Sequence, residues 1–175
     1  MWANHDVLNL WDTRLARFNE DNVIWRGSVD REEFEKICKR NIEKYFKHPQ
    51  YYKIDGKPVF MIYELPNLIN GLGGVEQTID ALEWFRKEVR KAGFPGLELQ
   101  MCIKGKYYSN MEVENGVTIQ DFVNRVGFDS GSLYQYRDLT STNRSYPEIF
   151  ADAIKEYDEI SSKLKLPSPV RSVCS

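Results

Sequence analysis

The sequence predicts an α/β fold, a partial (β/α)8 TIM barrel with four to five strand–helix units. Short apolar runs alternate with amphipathic helical patterns, which is typical of βαβ units and a parallel sheet. The units recur about every 35 to 40 residues, a spacing that suits a barrel with decorated loops. A doubly wound open sheet is the alternative, but it usually carries a glycine-rich phosphate loop, and this sequence has no GxGxxG motif.

The first helix and strand are the clearest elements. The helix begins near Asp30, where Asp30 and Glu33 fit a capping box, and apolar residues continue at helical spacing to Tyr45. A turn at residues 55–58 leads into residues 59–63, which are apolar without a helical period. That run predicts a strand buried on both faces, as parallel sheets require.

The rest of the chain repeats this alternation. The predicted elements are a short helical excursion, a long helix, a strand, a helix, a strand and a final helix, at residues 65–72, 75–92, 97–103, 118–126, 132–136 and 145–164. Ser145 and Glu148 form a second capping box at the last helix. We expect residues 1–166 to form one barrel segment and residues 167–175 to be an unstructured tail that marks a truncation.

Composition limits the partners. The chain has 24 basic and 26 acidic residues without a basic run, so nucleic acid is not an expected partner. No run approaches the roughly 18 apolar residues of a membrane span. The three cysteines and two histidines are too scattered for a disulfide framework or a zinc site, and no cofactor is expected. The unpaired cysteines favour a reducing compartment, with export left open.

Side chains at the ends of predicted strands are the candidates for ligand contact, because barrels bind ligands at that edge. The candidates are Trp2, Asn4, His5, Asp6, Tyr63, Glu64, Gln100, Tyr134 and Tyr136. A tryptophan ring stacks on a sugar face while polar neighbours hold its hydroxyls, and a carboxylate serves in general acid–base chemistry. No catalytic residue is assigned, because glycoside hydrolysis needs a carboxylate pair and Glu64 with Glu98 is not a convincing one.

Each candidate also has a structural interpretation. The first segment is either a solvated terminus with Trp2 in the core or a ligand site, and the tyrosines are equally suited to packing. Glu64 also fits the acidic start of a helix, where the helix dipole favours it. Glu98 shares a strand face with Gln100 but is expected to be a buried, paired charge. Three other tryptophans are expected to pack in the core, and two lysines are expected to be solvated: Trp11, Trp25, Trp84, Lys104 and Lys106.

Three sequence blocks resemble one family. They are residues 2–6 (WANHD), residues 51–63 (YYKIDGKPVFMIY), and Gly127-Phe128-Asp129 with Tyr134-Gln135-Tyr136. The family is the glycoside hydrolase family 99-like group, which includes WbsX-type glycosyltransferases of polysaccharide loci. The resemblance implies a (β/α)8 barrel acting on glycans, with Trp2, Asn4, His5 and Tyr63 lining the sugar-binding mouth.

The resemblance also sets the functional alternatives. Family 99 enzymes are retaining, metal-independent endo-α-mannosidases with an acid/base pair in an Asn-Glu-Trp-x-Glu-Gly motif, which is absent here. The leading hypothesis is therefore a hydrolase-like barrel of bacterial polysaccharide metabolism, a fragment lacking that pair, whose partner is an α-mannoside-like glycan. The alternatives are a WbsX-type glycosyltransferase of lipopolysaccharide, O-antigen or capsule biosynthesis, or a non-catalytic glycan-binding chain that self-associates through exposed sheet edges.

Overall fold

The structure is a computed structural model that describes residues 1–9, 11, 22–105, 107–135, 140–141 and 143–166. The strands in these ranges are β1 Val7–Leu8, β2 Val23–Trp25, β3 Lys53–Ile54, β4 Lys57–Ile62, β5 Glu98–Ile103, β6 Glu112–Glu114, β7 Val117–Thr118 and β8 Ser130–Leu133. The α-helices are α1 Arg31–Arg40, α2 Leu65–Leu72, α3 Val75–Lys91, α4 Ile119–Val126 and α5 Tyr146–Lys163. The fold is mixed α/β.

The main sheet has the strand order β3-β4-β5-β8. β3 is antiparallel to β4, whereas β5 lies parallel to both β4 and β8. Trp2 adds a parallel bridge to Ile62 on the other side of β4, and the Trp2 N–H donates to the Met61 carbonyl at 2.7 Å. The parallel segments therefore follow one another in chain order across the sheet: Trp2, β4, β5 and β8.

The two faces of this sheet differ in composition. The core face carries apolar residues that pack against the helices and are at most 4% exposed: Phe60, Ile62, Leu99, Met101 and Ile103. The register places Gln100 beside Met61 and Ser130 on the opposite, polar face, because paired residues of neighbouring strands point the same way. The strands are thus fixed by burial on one face and carry polar groups on the other.

An aromatic cluster holds the first helices against the core face. Phe85 of α3 is fully buried, and its ring centroid lies 6.1 Å from Phe34, 6.1 Å from Phe46 and 5.1 Å from Phe60. Phe46 reaches this cluster from a π-helical turn, Asn41–Phe46, that continues α1. Each buried phenylalanine contributes about 2 to 3 kcal/mol of transfer free energy, so this cluster is a principal source of stability.

The predicted helix starts are confirmed. Asp30 accepts a hydrogen bond from the Glu33 N–H at 2.9 Å, and the capping box of Ser145 and Glu148 is present in both directions. Only the Asp30 half of the box predicted at the first helix is present, because the Glu33 carboxylate pairs with Lys36. A capping box that was not predicted, between Thr118 and Asp121, begins α4. No described helix has the length and apolar character needed to cross a membrane.

The last strand differs from its prediction. β8 covers Ser130–Leu133 instead of residues 132–136, and residues 136–139 and 167–175 lie outside the described residues. The small residue Gly131 allows close packing, because a Cβ there would lie 2.9 Å from Leu166 Cδ1. The Tyr157 hydroxyl also donates to the Gly131 carbonyl at 2.9 Å. Tertiary packing, and not strand propensity, therefore defines β8.

Candidate functional site

Polar and aromatic side chains follow the carboxyl ends of all the parallel segments. Five of them form what we call the strand-end cluster: His5 after the Trp2 bridge, Tyr63 and Glu64 after β4, Lys104 after β5, and Tyr134 after β8. Adjacent parallel strands end at the same edge of a sheet, so these residues come from distant parts of the chain to one place.

An ion pair joins two strands of the cluster. Lys104 Nζ donates a hydrogen bond to Glu64 Oε2, and the two side chains are 21% and 20% exposed. The same Nζ lies 3.9 Å from the centroid of the Tyr63 ring, within the range of a cation–π contact. Because the pair is partly shielded from water, it holds the ammonium and the carboxylate in fixed positions at the edge of the sheet.

Aromatic rings form the rest of the cluster. The Tyr63 ring meets Tyr134 edge-on at a centroid distance of 5.1 Å and His5 at 5.3 Å. Tyr134 is 51% exposed, so it gives the cluster an accessible ring face. Burial, assisted by the hydrogen bond with Tyr134, raises the pKa of Tyr63 to about 12. Tyr63 is therefore a neutral phenol at physiological pH.

Asn4 fixes the position of Glu64. Asn4 is 2% exposed, and its carboxamide bonds both backbone groups of Glu64: Nδ2 donates to the Glu64 carbonyl at 2.7 Å, and Oδ1 accepts from the Glu64 N–H at 2.8 Å. Asn67 Nδ2 in turn donates to the Asn4 carbonyl at 3.1 Å. These bonds occupy the Asn4 amide, so Asn4 orients Glu64 and does not present its own amide to solvent.

Asp6 holds neighbouring chain segments together. Its Oδ1 accepts hydrogen bonds from the Gly27 N–H at 2.8 Å and from Asn67 Nδ2 at 3.1 Å. Arg26 lies 3.7 Å from its other oxygen. Trp2 packs against the core, since its ring centroid lies 5.9 Å from that of Phe34 and 6.1 Å from that of Phe60. Both residues belong to the frame around the cluster.

Gln100 lies on the polar face below the strand-end cluster. Its Nε2 donates to Ser130 Oγ at 3.1 Å, and that hydroxyl donates to Glu98 Oε1 at 3.1 Å. Glu98 is 7% exposed and pairs with Lys57 at 3.7 Å, which confirms the expectation of a buried, paired charge. The structure therefore separates Gln100 from the cluster residues at the end of β5. Tyr136 lies outside the described residues.

Lys104 was expected to be a solvated loop residue, and the structure corrects this. It immediately follows β5, so the rule that barrels bind ligands where their strands end, which selects Glu64, also selects Lys104.

Tyr108 was missed as well, because it lies in a short 3-10 turn that the sequence pattern does not indicate. Burial, reinforced by the charge of Glu64, raises the pKa of the Tyr108 hydroxyl. Within the described residues, no group of His, Cys, Asp and Glu side chains is arranged to hold a metal ion.

The fold and the strand-end cluster define an α/β protein with an aromatic, charged site at the carboxyl edge of a parallel sheet. The sequence model of the family described as Glycosyltransferase WbsX matches residues 1–170, and the chain belongs to the WbsX family. The resemblance to WbsX-type proteins is thereby confirmed, and it gives the chain a carbohydrate-related role. No curated protein and no solved structure matches the chain significantly.

Proposed function

We propose that residues 1–166 form part of a (β/α)8 barrel that binds a glycan at the strand-end cluster. The order of the parallel segments supports the barrel, because Trp2, β4, β5 and β8 follow one another without reversal. A doubly wound sheet reverses its strand order at a switch point, and ligands bind there. A barrel keeps the chain order and binds its ligand where all strands end.

The proposal rests on one observation: side-chain contacts join the ends of β4, β5 and β8. They are the Lys104–Glu64 ion pair, the Lys104–Tyr63 cation–π contact and the Tyr63–Tyr134 ring contact. Pyranose rings have apolar C–H faces and polar hydroxyl edges. The exposed Tyr134 ring offers a stacking surface, while the carboxylate of Glu64 accepts and the ammonium of Lys104 donates hydrogen bonds to hydroxyls. We propose an α-mannoside-like glycan as the ligand, which rests on the resemblance to family 99.

The carboxylates at this edge support recognition more than hydrolysis. Hydrolysis by the usual mechanism uses two carboxyl groups on either side of the glycosidic bond. Among the described residues named at this edge, Glu64 and Asp6 are the carboxylates, and Asp6 is occupied by Gly27, Asn67 and Arg26. Glu64 therefore serves as a single hydrogen-bonding or acid–base group, and the described residues contribute the sugar-binding part of a hydrolase-like site.

The second candidate is glycosyl transfer in the synthesis of lipopolysaccharide, O-antigen or capsule polysaccharide. The match to a family described as a glycosyltransferase favours it. Glu64 would then accept a proton from the acceptor hydroxyl, and Lys104 would hold negative charge that develops on the leaving group.

Binding of α-mannan oligosaccharides, measured by titration calorimetry with the full chain, tests the proposal. We expect wild-type protein to bind, and Glu64→Gln and Lys104→Met to weaken binding at least about tenfold, because each removes a charged hydrogen-bonding partner. Lys87→Met, an exposed change on α3, is the matched control. Equal binding by all variants would reject the cluster as the site.

The same samples distinguish the two chemistries. New reducing ends released from α-mannan would indicate hydrolysis, and release of free nucleotide from a GDP-mannose donor in the presence of an acceptor glycan would indicate transfer. Binding without either product would support recognition alone.

A further inference from the structure

The Tyr108 side chain carries a buried hydroxyl whose proton has no acceptor. Tyr108 begins the 3-10 turn Tyr108–Asn110, is 8% exposed and packs in the hydrophobic core. Within the described residues, no atom accepts a hydrogen bond from its phenol proton. A buried donor without an acceptor is costly, because it has lost its water on folding without gaining a replacement. Such a donor is explained by a second state of the protein in which an acceptor reaches it.

The polar groups around this hydroxyl include members of the strand-end cluster. The Leu65 N–H faces the phenol oxygen, and Leu65 directly follows Glu64 in the chain. Burial first, and then the negative charge of Glu64, raises the pKa of the Tyr108 hydroxyl, so the phenol keeps its proton. Cys102 also acts on this hydroxyl, but sulfur is only a weak acceptor. Among these neighbours, the Glu64 carboxylate is therefore the strong acceptor that the phenol proton lacks.

The backbone on both sides of this contact is held in place, so the Glu64 side chain is the part that can move. The Tyr108 N–H donates to the Gly105 carbonyl at 3.2 Å, and the Tyr108 carbonyl accepts from the Met111 N–H at 3.2 Å. Asn4 holds the backbone of Glu64 through bonds of 2.7 and 2.8 Å. These bonds do not restrict the side-chain torsions of Glu64, so a change of rotamer suffices to turn its carboxylate.

Ligand binding supplies a reason for that movement. Lys104 Nζ is bonded to Glu64 Oε2, so the two charged groups that the proposed function assigns to ligand hydroxyls hold each other. A hydroxyl that enters between them and accepts from the ammonium separates the pair. A partly buried carboxylate that loses its cation needs another donor, because an unpaired charge beside the core is unfavourable. The Tyr108 phenol is such a donor, and an O–H···O⁻ bond is stronger than a bond between neutral groups.

We propose that Tyr108 is a positioning residue that holds the Glu64 carboxylate when a ligand hydroxyl replaces Glu64 on Lys104. This rests on the proposed function and deepens it, because it gives Glu64 two partners: Lys104 in the unliganded protein and Tyr108 in the complex. The buried hydroxyl makes it easier to open the ion pair, and it raises the affinity of the site without touching the ligand.

A ligand-free double-mutant cycle tests the second partner. Lys104→Met opens the ion pair without a ligand, so Glu64 should then turn to Tyr108. We expect Tyr108→Phe, which keeps the ring and removes one oxygen, to leave the Tm of wild type unlowered. In the Lys104→Met background the same change should lower the Tm by about 2 to 4 °C, because a hydrogen bond is now lost. Tyr107→Phe is the matched control in both backgrounds, since Tyr107 lies in the same loop and is 75% exposed.

Calorimetric titration of the same full-length proteins with an α-mannan oligosaccharide tests the role in the complex. Tyr108→Phe should weaken binding about threefold to tenfold, because the complex loses one hydrogen bond to a charged group. Tyr107→Phe should bind as wild type does.

The outcomes separate this inference from the proposed function. An equal fall in Tm in both backgrounds would overturn the inference, because the hydroxyl would then have a structural partner already. No fall in either background would overturn it as well. Equal glycan affinities of wild type and Tyr108→Phe would overturn the inference and leave glycan binding at the strand-end cluster intact. If wild type binds no glycan, the proposed function and the role of Tyr108 in the complex both fail.

Discussion

The two faces of the β4–β5–β8 sheet are built on different principles. The core face consists of apolar residues that are buried because transfer of apolar surface out of water is favourable. Many other apolar residues of similar volume would fill the same space. The opposite face and the strand ends contain specific polar pairs, such as Lys104 with Glu64 and Gln100 with Ser130. Under the proposed function the core face carries stability and the strand ends carry specificity, so substitutions on the two sides should have different consequences.

The largest effect is expected on the core side. Phe85→Ala removes a fully buried ring that touches Phe34, Phe46 and Phe60, and it should lower the free energy of unfolding by about 3 to 5 kcal/mol. Urea unfolding followed by circular dichroism measures this. Phe150→Ala is the control, because Phe150 is 42% exposed and its removal should cost much less. Similar losses for both variants would contradict the assigned core.

Removing the Asn4 carboxamide, which bonds both backbone groups of Glu64, should give the next largest effect. Asn4→Ala leaves the Glu64 N–H without its partner and the Glu64 carbonyl with only the Leu68 N–H, at 3.3 Å, which should cost about 2 to 3 kcal/mol of stability. Glycan affinity should also fall, because Glu64 is no longer oriented. Asn70→Ala, at an exposed position of α2, is the control in the same thermal and calorimetric measurements. Normal stability of Asn4→Ala would show that Asn4 does not orient Glu64.

The difference between the faces also explains what the sequence predicts well. Burial leaves a periodic pattern, so the strands β4 and β5, the helices and the Asp30 and Ser145 caps follow from residue order. β8 does not, because its Ser-Gly-Ser sequence is shaped by the approach of Leu166. The rule that barrels bind ligands where their strands end selects Tyr63, Glu64 and Tyr134. Contacts between particular side chains, however, leave no periodic signal in the sequence. The partnership of Lys104 with Glu64 and the exposure of Trp25 therefore became visible only in three dimensions.

Lys104 should separate stability from function. Lys104→Met removes a partly exposed ion pair, so we expect the free energy of unfolding to change by about 1 kcal/mol or less. Glycan affinity should nevertheless fall at least about tenfold, as a charged hydrogen bond is lost. Thermal unfolding and calorimetry on one preparation give both quantities. A large stability loss with unchanged affinity would assign Lys104 a structural role.

The smallest effect concerns the ionisation of Tyr63, whose pKa is raised to about 12 by burial and by Tyr134. The folded protein holds this proton more tightly than the unfolded chain, whose tyrosines titrate near pH 10. Its contribution to stability is therefore complete below about pH 10 and is lost as the pH rises toward 12. Burial also raises the pKa of Tyr51, Tyr108 and Tyr157, so these tyrosines contribute to the late tyrosinate absorbance as well. Ultraviolet titration should therefore show a late absorbance change that is smaller by one tyrosine in Tyr63→Phe and undiminished in the control Tyr52→Phe, whose ring is exposed. An undiminished late change in Tyr63→Phe would refute the assignment.

A backbone-amide NMR titration with an α-mannan oligosaccharide tests most directly whether the strand-end cluster binds glycan. Saturable shifts should concentrate at Tyr63, Glu64, Lys104 and Tyr134, with little change around the buried ring of Phe85. Shifts concentrated elsewhere, or no saturable shifts at all, would contradict a glycan site at the ends of these strands.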